Sequence, residues 1–500
     1  MFSSRSFTFF CLFSLTALGQ ALEGDGHLMS VGGRPVLLVG DSGTHCVMQN
    51  SNINYRAWID DCADAGMNAI HVWSTVAPRQ TQEGKTVEKR YGYVYPGITP
   101  WARRNGGPLA RDGLSQWDLR QFDEGDDPSR QYWPRMRDLC QYAKQKNLLV
   151  GITVFFGWPK HGRDWVWHPF NTANGGHLTD EKLFVTAVQI IATPGREMLE
   201  RPWSDAWSDA QKTQWLWERF AVKLLKETQS IGNTFYIFMD ERSYSEGNCG
   251  DHFAKFFRRR NAFWIDGQFR RDLVDGVVEG HGSGRDVNRY ARRSFEVKPH
   301  RPFFEFELTP YQGAGVRHNL YACLLGVGHL FFHNDERQET VSTGIMGYDP
   351  NVKNSRRDAV RERQRWLGIA CRLLNGRLAE FGEMAPANEV IQKGEGYCLA
   401  LLGQEYIAYI KSGDQAVLRL VGVAADYDVT VVSPRTGQQI KTSAIAKGSE
   451  LHVKFPDEMD WVVLAQRRSA SLPKPNTEPR RVKNCSRPVN CYQSRTISWS

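Results

Sequence analysis

Apolar runs and amphipathic segments alternate along residues 34–374 of the chain. Short runs rich in aromatic and β-branched residues predict buried strands, and apolar residues three and four positions apart predict helices. The predicted strands span residues 34–41, 68–75, 148–157, 233–241, 262–267, 273–280, 301–308 and 328–332. The helical patterns between them make repeated βα units, which favour an α/β fold of the (β/α)8 or TIM barrel type. A doubly wound sheet is the main structural alternative.

The periodicity changes beyond about residue 382, where helical patterns give way to short strands. Strands between residues 398 and 465, separated by turns such as 433–437, predict a C-terminal antiparallel β-sandwich. From Ser469 the chain is polar and basic and contains Pro473, Pro475 and Pro479, which predicts a disordered tail. We therefore expect a signal peptide at 1–21, the barrel at 22–385, the sandwich at 386–468 and the tail at 469–500.

The first 21 residues have the layout of a secretory signal peptide. Arg5 precedes an apolar stretch from Phe7 to Leu18, and the small residues needed for cleavage follow at 19–21. The apolar stretch is too short to span a bilayer comfortably, and a retained N-terminal anchor is the alternative. No later segment approaches transmembrane length, so we expect a secreted or periplasmic protein with no membrane partner after signal removal.

The formal net charge of +8 is spread among many acidic residues. The longest basic run, at 258–260, fits a solvated helix face better than a stripe that binds nucleic acid. The cysteines lack Cys-x-x-Cys spacing, and His161, His168 and His177 share a loop without the spacing of metal ligands. We expect no nucleic-acid partner, no metal and no cofactor. Buried-looking helical positions hold four of the cysteines, namely Cys62, Cys140, Cys323 and Cys371.

Two long segments interrupt the βα repeat, one from about residue 76 to 129 and one after residue 157. Both are rich in aromatic residues, among them Tyr91, Tyr93, Tyr95, Trp101, Trp158, Trp165 and Trp167. Flat aromatic faces in loops above a barrel suit stacking on sugar rings. Packing of the loops onto the rim of the barrel is the alternative for each ring.

Two predicted strands carry carboxylates at or near their carboxyl ends. The run 233–241 ends on Asp240 and Glu241, and the run 301–308 contains Glu305 and Glu307. In a barrel these are the fourth and seventh strands, and barrel enzymes keep their chemistry at the carboxyl ends of strands. A retaining glycosidase needs two carboxylates about 5 to 5.5 Å apart, one as nucleophile and one as acid and base. For the run 233–241 alone, an ordinary core strand that leaves through an acidic turn is the alternative.

From Gly33 to Ala465 the chain resembles the clan-A glycoside hydrolases. Among them it is similar to the apiosidase-type, cellulase-like barrels that carry a small sandwich named as a collagen-binding domain. The motifs that carry the resemblance are, in chain order, Val39-Gly40-Asp41-Ser42, Phe122-Asp123 with Tyr132, Met239-Asp240-Glu241, Arg301-Pro302 with Glu307 and Tyr311, and Ser433-Pro434-Arg435-Thr436-Gly437. Their order along the chain carries the resemblance better than any one motif.

The resemblance implies that Glu241 is the catalytic acid and base and that Glu307 is the nucleophile. Glu305 competes for the second role, and we prefer Glu307 because it lies nearer the end of its strand and precedes Tyr311. Asp240 stands where the clan usually has Asn. An ionised Asp accepts hydrogen bonds from a sugar hydroxyl but donates none, and its charge favours the protonated form of Glu241 that an acid needs.

Other residues near strand ends are candidates for the substrate-binding site. They are Asp41, His71, Trp73, Asp240, Tyr311 and His333, with Asp335 as a further possibility after the last strand. Alternation in the second strand places His71 and Trp73 on one face. For each candidate, a structural hydrogen bond beneath the rim of the barrel is the alternative to sugar contact.

These patterns together predict a secreted retaining glycoside hydrolase that acts on a plant or microbial polysaccharide, so the expected partner is a carbohydrate substrate. Two other functions stay open. One is a catalytically silent carbohydrate-binding barrel, which Asp240 makes conceivable, and the other is an adhesion protein whose sandwich binds a wall or matrix polymer. The sequence specifies neither the sugar and its linkage nor the oligomeric state.

Overall fold

The computed structural model describes residues 22–43, 47–75, 98–156, 165–183, 193, 195–240, 248–267, 272–278, 287–308, 313–333, 348, 357–377, 382–420, 426–445 and 449–468. The predicted signal peptide and the predicted tail lie outside the described residues. The strands as far as residue 333 are β1 Leu22–Asp25, β2 Leu28–Val31, β3 Arg34–Val36, β4 Val39–Ser42, β5 Ala69–Trp73, β6 Trp101–Arg103, β7 Trp117–Phe122, β8 Leu149–Phe156, β9 Thr234–Asp240, β10 Trp264–Gly267, β11 Gly276–Val278, β12 Phe303–Leu308 and β13 Gly328–His333. The α-helices of the described chain are α1 Tyr55–Ala65, α2 Tyr132–Gln145, α3 Asp209–Thr228, α4 Asn248–Arg258, α5 Val287–Glu296, α6 Ala314–Leu324 and α7 Arg357–Asn375.

Eight parallel strands close into a barrel in the order β4, β5, β8, β9, β10, β11, β12 and β13. Each of the eight strands predicted between residues 34 and 332 corresponds to one of them, and the fifth, 262–267, corresponds to β10. The last strand, β13, pairs in parallel with β4 and so closes the sheet. This closure confirms the (β/α)8 barrel and rules out the doubly wound alternative.

The first predicted strand, 34–41, is in fact two strands. β3 pairs with β2 in a separate antiparallel sheet, and β4 enters the barrel. Between them the backbone of Leu37 is bound by side chains, because its N–H donates to Asn375 Oδ1 at 3.1 Å and its carbonyl accepts from Asn68 Nδ2 at 2.9 Å. These side chains take the hydrogen bonds that a continuous strand would have made.

The N-terminal sheet of β1, β2 and β3 packs against the core of the barrel. Met29 of β2 is fully buried in one cluster with Leu38, Phe304 and Phe331 of the barrel. Met29, on the antiparallel sheet, thereby extends the apolar core that fills the barrel.

Phenylalanine rings fill the interior of the barrel, and glycines make room for them. A Cβ atom on Gly40 would lie 2.8 Å from the Phe331 ring, and one on Gly151 would lie 2.7 Å from the Phe235 ring. Phe304, Phe306 and Phe331 stack with centroid distances of 5.6 and 5.0 Å for the consecutive pairs. The interior of the barrel is thus a packed core, as is usual for this architecture.

The apolar pattern from Tyr55 to Ala63 predicts a helix that is capped by Asn54 and ended by Gly66, and α1 has these ends. The Asn54 side chain accepts a hydrogen bond from the Ala57 N–H at 3.1 Å, and Gly66 ends the helix with a φ of 90°. An Asn cap satisfies a free N–H of the first turn, and glycine adopts the left-handed conformation at low cost.

Part of the first long insertion forms a hairpin, because β6 and β7 pair antiparallel. Trp101 of β6 lies 5.8 Å from the Phe170 ring, and Trp165, which is buried, stacks on His168 at 5.3 Å. For these two tryptophans the structure shows the packing role that the sequence left open. Tyr91, Tyr93, Tyr95 and Trp158 lie outside the described residues.

The C-terminal strands form two antiparallel sheets, which confirms the predicted β-sandwich. One sheet has the order β14, β16, β17, β22, β19, β20, and the other has the order β15, β18, β21. Their bounds are β14 Ala385–Pro386, β15 Ile391–Lys393, β16 Gly396–Leu401, β17 Glu405–Ile410, β18 Gln415–Arg419, β19 Asp426–Val432, β20 Gln439–Ile445, β21 Glu450–Lys454 and β22 Trp461–Arg467. The edge strand β20 was not predicted, because its start, Gln439-Ile440-Lys441, is partly exposed and carries little apolar signal.

The larger sheet of the sandwich is buried on both faces. Ala408 and Val463 belong to the core between the two sheets, whereas Ile407, Tyr409 and Leu464 belong to the same apolar cluster as the barrel. Neighbouring residues along a strand point to opposite faces. The sandwich therefore packs on the barrel with one face of its larger sheet.

Four of the described cysteines, Cys62, Cys140, Cys323 and Cys371, are buried as predicted, and each is a free thiol. None of the helices in the described part of the chain is long and apolar enough to cross a membrane.

Candidate active site

The parallel strands of the barrel bring several predicted site residues to one end of the barrel, where the carboxyl ends of the strands lie. Asp240 is the last residue of β9, Glu307 is the penultimate residue of β12, and His333 is the last residue of β13. For these three residues the structure describes the backbone. Glu241 follows Asp240 directly, but Glu241 and Tyr311 lie outside the described residues, as does Asp335.

Backbone register sets the relative height of the strand ends. Ser42 pairs with His333 on one side and with His71 on the other. Asp240 pairs with Phe156, the last residue of β8. The ends of β13 and β4 therefore lie level, as do the ends of β8 and β9, whereas β5 continues two residues beyond its pairing with Ser42.

A chain of three hydrogen-bonded polar side chains runs across three consecutive barrel strands. Ser42 Oγ lies 2.7 Å from His71 Nδ1, and His71 Nε2 lies 2.8 Å from Thr153 Oγ1. These residues belong to the neighbouring strands β4, β5 and β8, and all three are buried. The hydrogen bonds satisfy polar groups that would be costly to bury alone.

The direction of hydrogen bonding follows from the acceptor at one end of the chain. Ser42 Oγ donates its proton to the backbone carbonyl of Phe306 at 3.1 Å. A hydroxyl has one proton, so Ser42 must accept a hydrogen bond from Nδ1–H of His71. In a neutral imidazole, Nε2 then accepts from the Thr153 hydroxyl. This assignment of the tautomer rests on the hydrogen-bond network.

Aromatic rings enclose His71 in the interior of the barrel. Its ring centroid lies 4.3 Å from Trp73, 4.8 Å from Phe306 and 6.1 Å from Phe331. His71 and Trp73 are each only 1% exposed. The predicted alternation of β5 is confirmed, since both side chains belong to the interior face, while their predicted contact with a sugar stays a prediction.

Asp41 lies on the opposite face of β4 and has structural partners there. Its Oδ2 accepts from Trp58 Nε1 at 3.3 Å and from Gln364 Nε2 at 2.9 Å, and the residue is fully buried. Trp58 belongs to α1 and Gln364 to α7, so the carboxylate binds two helices to the first strand. These contacts are the structural alternative that the sequence left open for Asp41, and its sugar contact stays a prediction.

An extra residue in β12 interrupts its pairing with β13. Glu305 pairs with Leu330, but Leu308 pairs with Phe332, so three steps along β12 match two along β13. Such a shift is a β-bulge, which changes the direction of the strand locally. Residues two apart on a regular strand lie on one face, which is what the sequence predicts for Glu305 and Glu307. Because the bulge lies between Glu305 and Leu308, this spacing alone does not establish that the two side chains share a face.

Glu305 lies on the helix side of its strand. Its neighbours Phe304 and Phe306 fill the barrel interior, and Glu305 itself is 3% exposed. Burial raises the pKa of the Cys323 thiol on α6, and the nearby Glu305 carboxylate raises it further. The Glu305 carboxylate thus lies close to α6, behind the sheet.

Two residues of this region, Ser42 and Thr153, were not among the candidates from the sequence. Ser42 was quoted only as part of the first-strand motif, and Thr153 lies in the middle of an apolar strand. Their proximity depends on the alignment of β4, β5 and β8, which pairs His71 with Ser42 and with Gly151. Strand alternation could have placed each side chain on a face of its strand. Only the register between strands shows that the side chains lie next to one another.

Among the described residues, no group of three or more His, Cys, Asp or Glu side chains is arranged to hold a metal ion. His168 and His177, which share a loop, are neutral packing residues. Burial lowers the pKa of His168 to about 3 and that of His177 to about 4. His177 Nε2 is 2.9 Å from Thr213 Oγ1.

No protein-family model matches the chain, and no curated protein matches it in sequence. Solved structures do match it in fold. A structure described as a glycoside hydrolase has 15% sequence identity and a TM-score of 0.56, with 90% of this chain and 97% of that chain covered. A family 5 glycoside hydrolase from Bacteroides vulgatus has 14% identity and a TM-score of 0.57, with 90% of this chain and 93% of that chain covered. The chain therefore shares its overall fold with glycoside hydrolases, a family 5 member among them.

Proposed function

We propose that this protein is a secreted retaining glycoside hydrolase, with Glu241 as acid and base and Glu307 as nucleophile. The observation that carries the proposal is the position of the two strands concerned. β9 and β12 are the fourth and seventh strands of a closed parallel barrel, and Glu241 directly follows the last residue of β9. In barrel enzymes the carboxyl ends of such strands carry the catalytic groups.

The reaction would proceed by double displacement. The Glu307 carboxylate attacks the anomeric carbon while Glu241 protonates the departing glycosidic oxygen, which gives a covalent glycosyl–enzyme ester and a free alcohol. Glu241, now a carboxylate, then takes a proton from water as that water attacks the anomeric carbon and releases Glu307. Two inversions give net retention, and the mechanism requires about 5 to 5.5 Å between the carboxyl groups.

The surroundings of Glu305 support the choice of Glu307 as nucleophile. Glu305 is almost fully buried beside α6, on the side of β12 that faces away from the barrel interior. A nucleophile must reach the substrate, so a carboxylate enclosed between strand and helix is poorly suited to that role.

The substrate class in this proposal is a plant or microbial polysaccharide. Asp240, Tyr311 and His333 would contact the sugar near the two glutamates, and His71 and Trp73 would form the floor of the site. Export would follow from the predicted signal peptide, and its retention or removal is tested by N-terminal sequencing of protein purified from the culture medium.

The test is a panel of 4-nitrophenyl glycosides and plant oligosaccharides assayed with wild type, Glu241→Gln and Glu307→Gln. We expect wild type to release product with retained anomeric configuration, as followed by proton NMR. Glu307→Gln should lose at least about 10³-fold in kcat because the nucleophile is gone, and Glu241→Gln should lose about 10²- to 10⁴-fold on substrates with poor leaving groups.

Glu305→Gln is the matched control, since it makes the same change in the same strand. It should keep kcat per folded molecule within about threefold of wild type, because its carboxylate lies behind the sheet. Activity that survives in both Glu241→Gln and Glu307→Gln would refute the assignment. A wild type that binds oligosaccharides but hydrolyses none would favour the silent carbohydrate-binding alternative.

A further inference from the structure

We propose that Ser42, His71 and Thr153 form a positioning chain for the nucleophile. The chain holds the peptide group that joins Phe306 to Glu307, and so determines where β12 presents Glu307. This inference rests on the proposed function, because it assigns the three residues a part in that same reaction.

The first step of the argument is the bulge in β12. Residues 306 and 307 have no Cα partner on β13, since pairing passes from Glu305 directly to Leu308. A bulged segment lacks part of the regular ladder that fixes its neighbours. On the side that faces β13, its position therefore depends on contacts other than the ladder.

The second step is the contact that replaces the ladder. The Phe306 carbonyl, which belongs to the same peptide unit as the Glu307 nitrogen, accepts the hydroxyl proton of Ser42 at 3.1 Å. Ser42 is fully buried, and its backbone is paired with both β13 and β5. A rigid, buried donor thus holds the irregular end of β12.

The third step concerns the direction of the Ser42 proton. A serine hydroxyl rotates freely unless a second partner fixes it. Nδ1–H of His71 occupies the acceptor side of Ser42 Oγ at 2.7 Å, so the Ser42 proton is directed to Phe306. Thr153 supports the same imidazole from its other nitrogen at 2.8 Å.

The packing of His71 makes the chain rigid. Trp73 and Phe306 lie against its ring with centroids at 4.3 and 4.8 Å. Phe306 is therefore bound twice, through its ring to His71 and through its carbonyl to Ser42. A displacement of about 1 Å at a reacting group costs on the order of 100-fold in rate, so this anchoring bears directly on catalysis.

The test compares Ser42→Ala with Ser42→Thr, and Thr153→Val with Thr153→Ser. Each pair removes or keeps the hydroxyl at the same position. We use the 4-nitrophenyl glycoside that wild type hydrolyses fastest in the panel above. Ser42→Ala should lower kcat about 10- to 100-fold with little change in KM, and Thr153→Val should lower it less. The hydroxyl-retaining variants should recover most of the loss.

A second measurement does not depend on activity. Amide hydrogen exchange of the peptide that spans 303–308 should be about tenfold faster in Ser42→Ala than in wild type, because the bulged segment is released. Peptides of β9 serve as the internal control and should exchange at the wild-type rate. A general loss of folding would accelerate both segments and lower Tm.

Unchanged kcat in Ser42→Ala and Thr153→Val, together with unchanged exchange at 303–308, would overturn the positioning chain while the proposed function stands. A wild type without activity on any glycoside would overturn the proposed function itself, and the catalytic meaning of the chain with it, even if exchange at 303–308 is faster in Ser42→Ala. Reduced kcat with faster exchange confined to 303–308 would support the inference.

Discussion

At the residue scale, burial decides the charge of His329. This histidine belongs to β13 and is fully buried. Its Nδ1 accepts a hydrogen bond from the Leu38 N–H at 2.8 Å, and its ring stacks on Phe304 at 4.6 Å. Burial lowers the pKa of His329 to about 3. A neutral histidine is therefore part of the packed barrel core.

The depressed pKa predicts an acid-dependent loss of stability. In the unfolded chain a histidine takes up its proton near pH 6.5, whereas the folded state resists it until about pH 3. Below pH 6.5 the unfolded state thus binds more protons, and each further pH unit should remove up to ~1.4 kcal/mol from the free energy of unfolding. His329→Gln should flatten this dependence when unfolding by urea is measured between pH 6.5 and 4.5.

Part of the pH dependence of the free energy of unfolding should persist in His329→Gln. Burial also lowers the pKa of His168 and that of His177. These two histidines should therefore also lower the free energy of unfolding of the protein as the pH falls. A pH dependence as steep in His329→Gln as in wild type would show that His329 does not contribute.

At the element scale, one glutamate joins α3 to its neighbours. Glu218 lies in the middle of α3 and is fully buried. Its Oε2 accepts from the N–H groups of Met198 and Leu199 at 2.6 and 3.1 Å, and its Oε1 accepts from Gln214 and His252 at 2.7 and 2.8 Å. One carboxylate therefore binds both the loop before α3 and the following helix α4.

Replacing Glu218 by Gln should destabilise this arrangement. One oxygen would become an NH2 group, which would face donors instead of acceptors, and a buried group left without its partner costs about 1–3 kcal/mol. We expect a loss of ~2 kcal/mol in urea unfolding and faster amide exchange at 195–203. Glu200→Gln changes an exposed glutamate of the same loop and should leave both measurements unchanged.

At the scale of the whole molecule, the sandwich and the barrel share a buried ion pair. Arg317 of α6 donates to Asp460 through Nε at 2.7 Å and Nη2 at 2.9 Å. The Tyr409 hydroxyl donates to the same carboxylate at 2.9 Å, and the Tyr409 ring stacks on Tyr321 of α6 at 4.5 Å. Because one apolar cluster also runs through both parts, we expect them to unfold in a single transition.

Removing one partner of this ion pair should lower the free energy of unfolding more than replacing both partners with apolar residues. Asp460→Asn leaves the Arg317 charge buried without its counter-ion, which typically costs about 3–5 kcal/mol. The double variant Arg317→Met with Asp460→Leu should recover part of that loss, because apolar groups can replace a buried pair. The measurement is urea unfolding followed by fluorescence and circular dichroism, with Arg317→Met alone and Asp460→Leu alone completing a double-mutant cycle.

A surface ion pair supplies the control for this cycle. Glu395→Gln removes the partner of Lys411 at the rim of the sandwich, where the glutamate side chain is 79% exposed. This substitution should lower the free energy of unfolding by less than ~1 kcal/mol. A cost for Asp460→Asn no larger than that for Glu395→Gln would refute the role assigned to the Arg317 pair.

Much of the fold could be predicted from the sequence because it depends on local periodicity. The barrel strands are apolar on both faces, as parallel strands buried by helices must be, so each appeared as a separate apolar run. The cap at Asn54 and the stop at Gly66 followed from local hydrogen bonding and backbone conformation. The prediction failed at Leu37, where side chains distant in sequence replace the strand pairing.

The candidate site could be predicted from the sequence only in part, because some of its contacts also join segments that are distant in sequence. Strand ends and their acidic residues follow from the chain order, so Glu241 and Glu307 could be proposed without a structure. The contacts of Ser42, His71 and Thr153 could not, because they require the register of three strands that lie far apart in sequence.

The sequence by itself determined the number and order of the barrel strands, the antiparallel sandwich and the candidate carboxylates. These properties depend on residue spacing and on where each apolar run ends. Only the tertiary structure decided that β3 leaves the barrel sheet, that Asp41 binds two helices, and that a bulge separates Glu305 from Leu308. Each of these depends on packing and register between segments distant in sequence, which local periodicity does not encode.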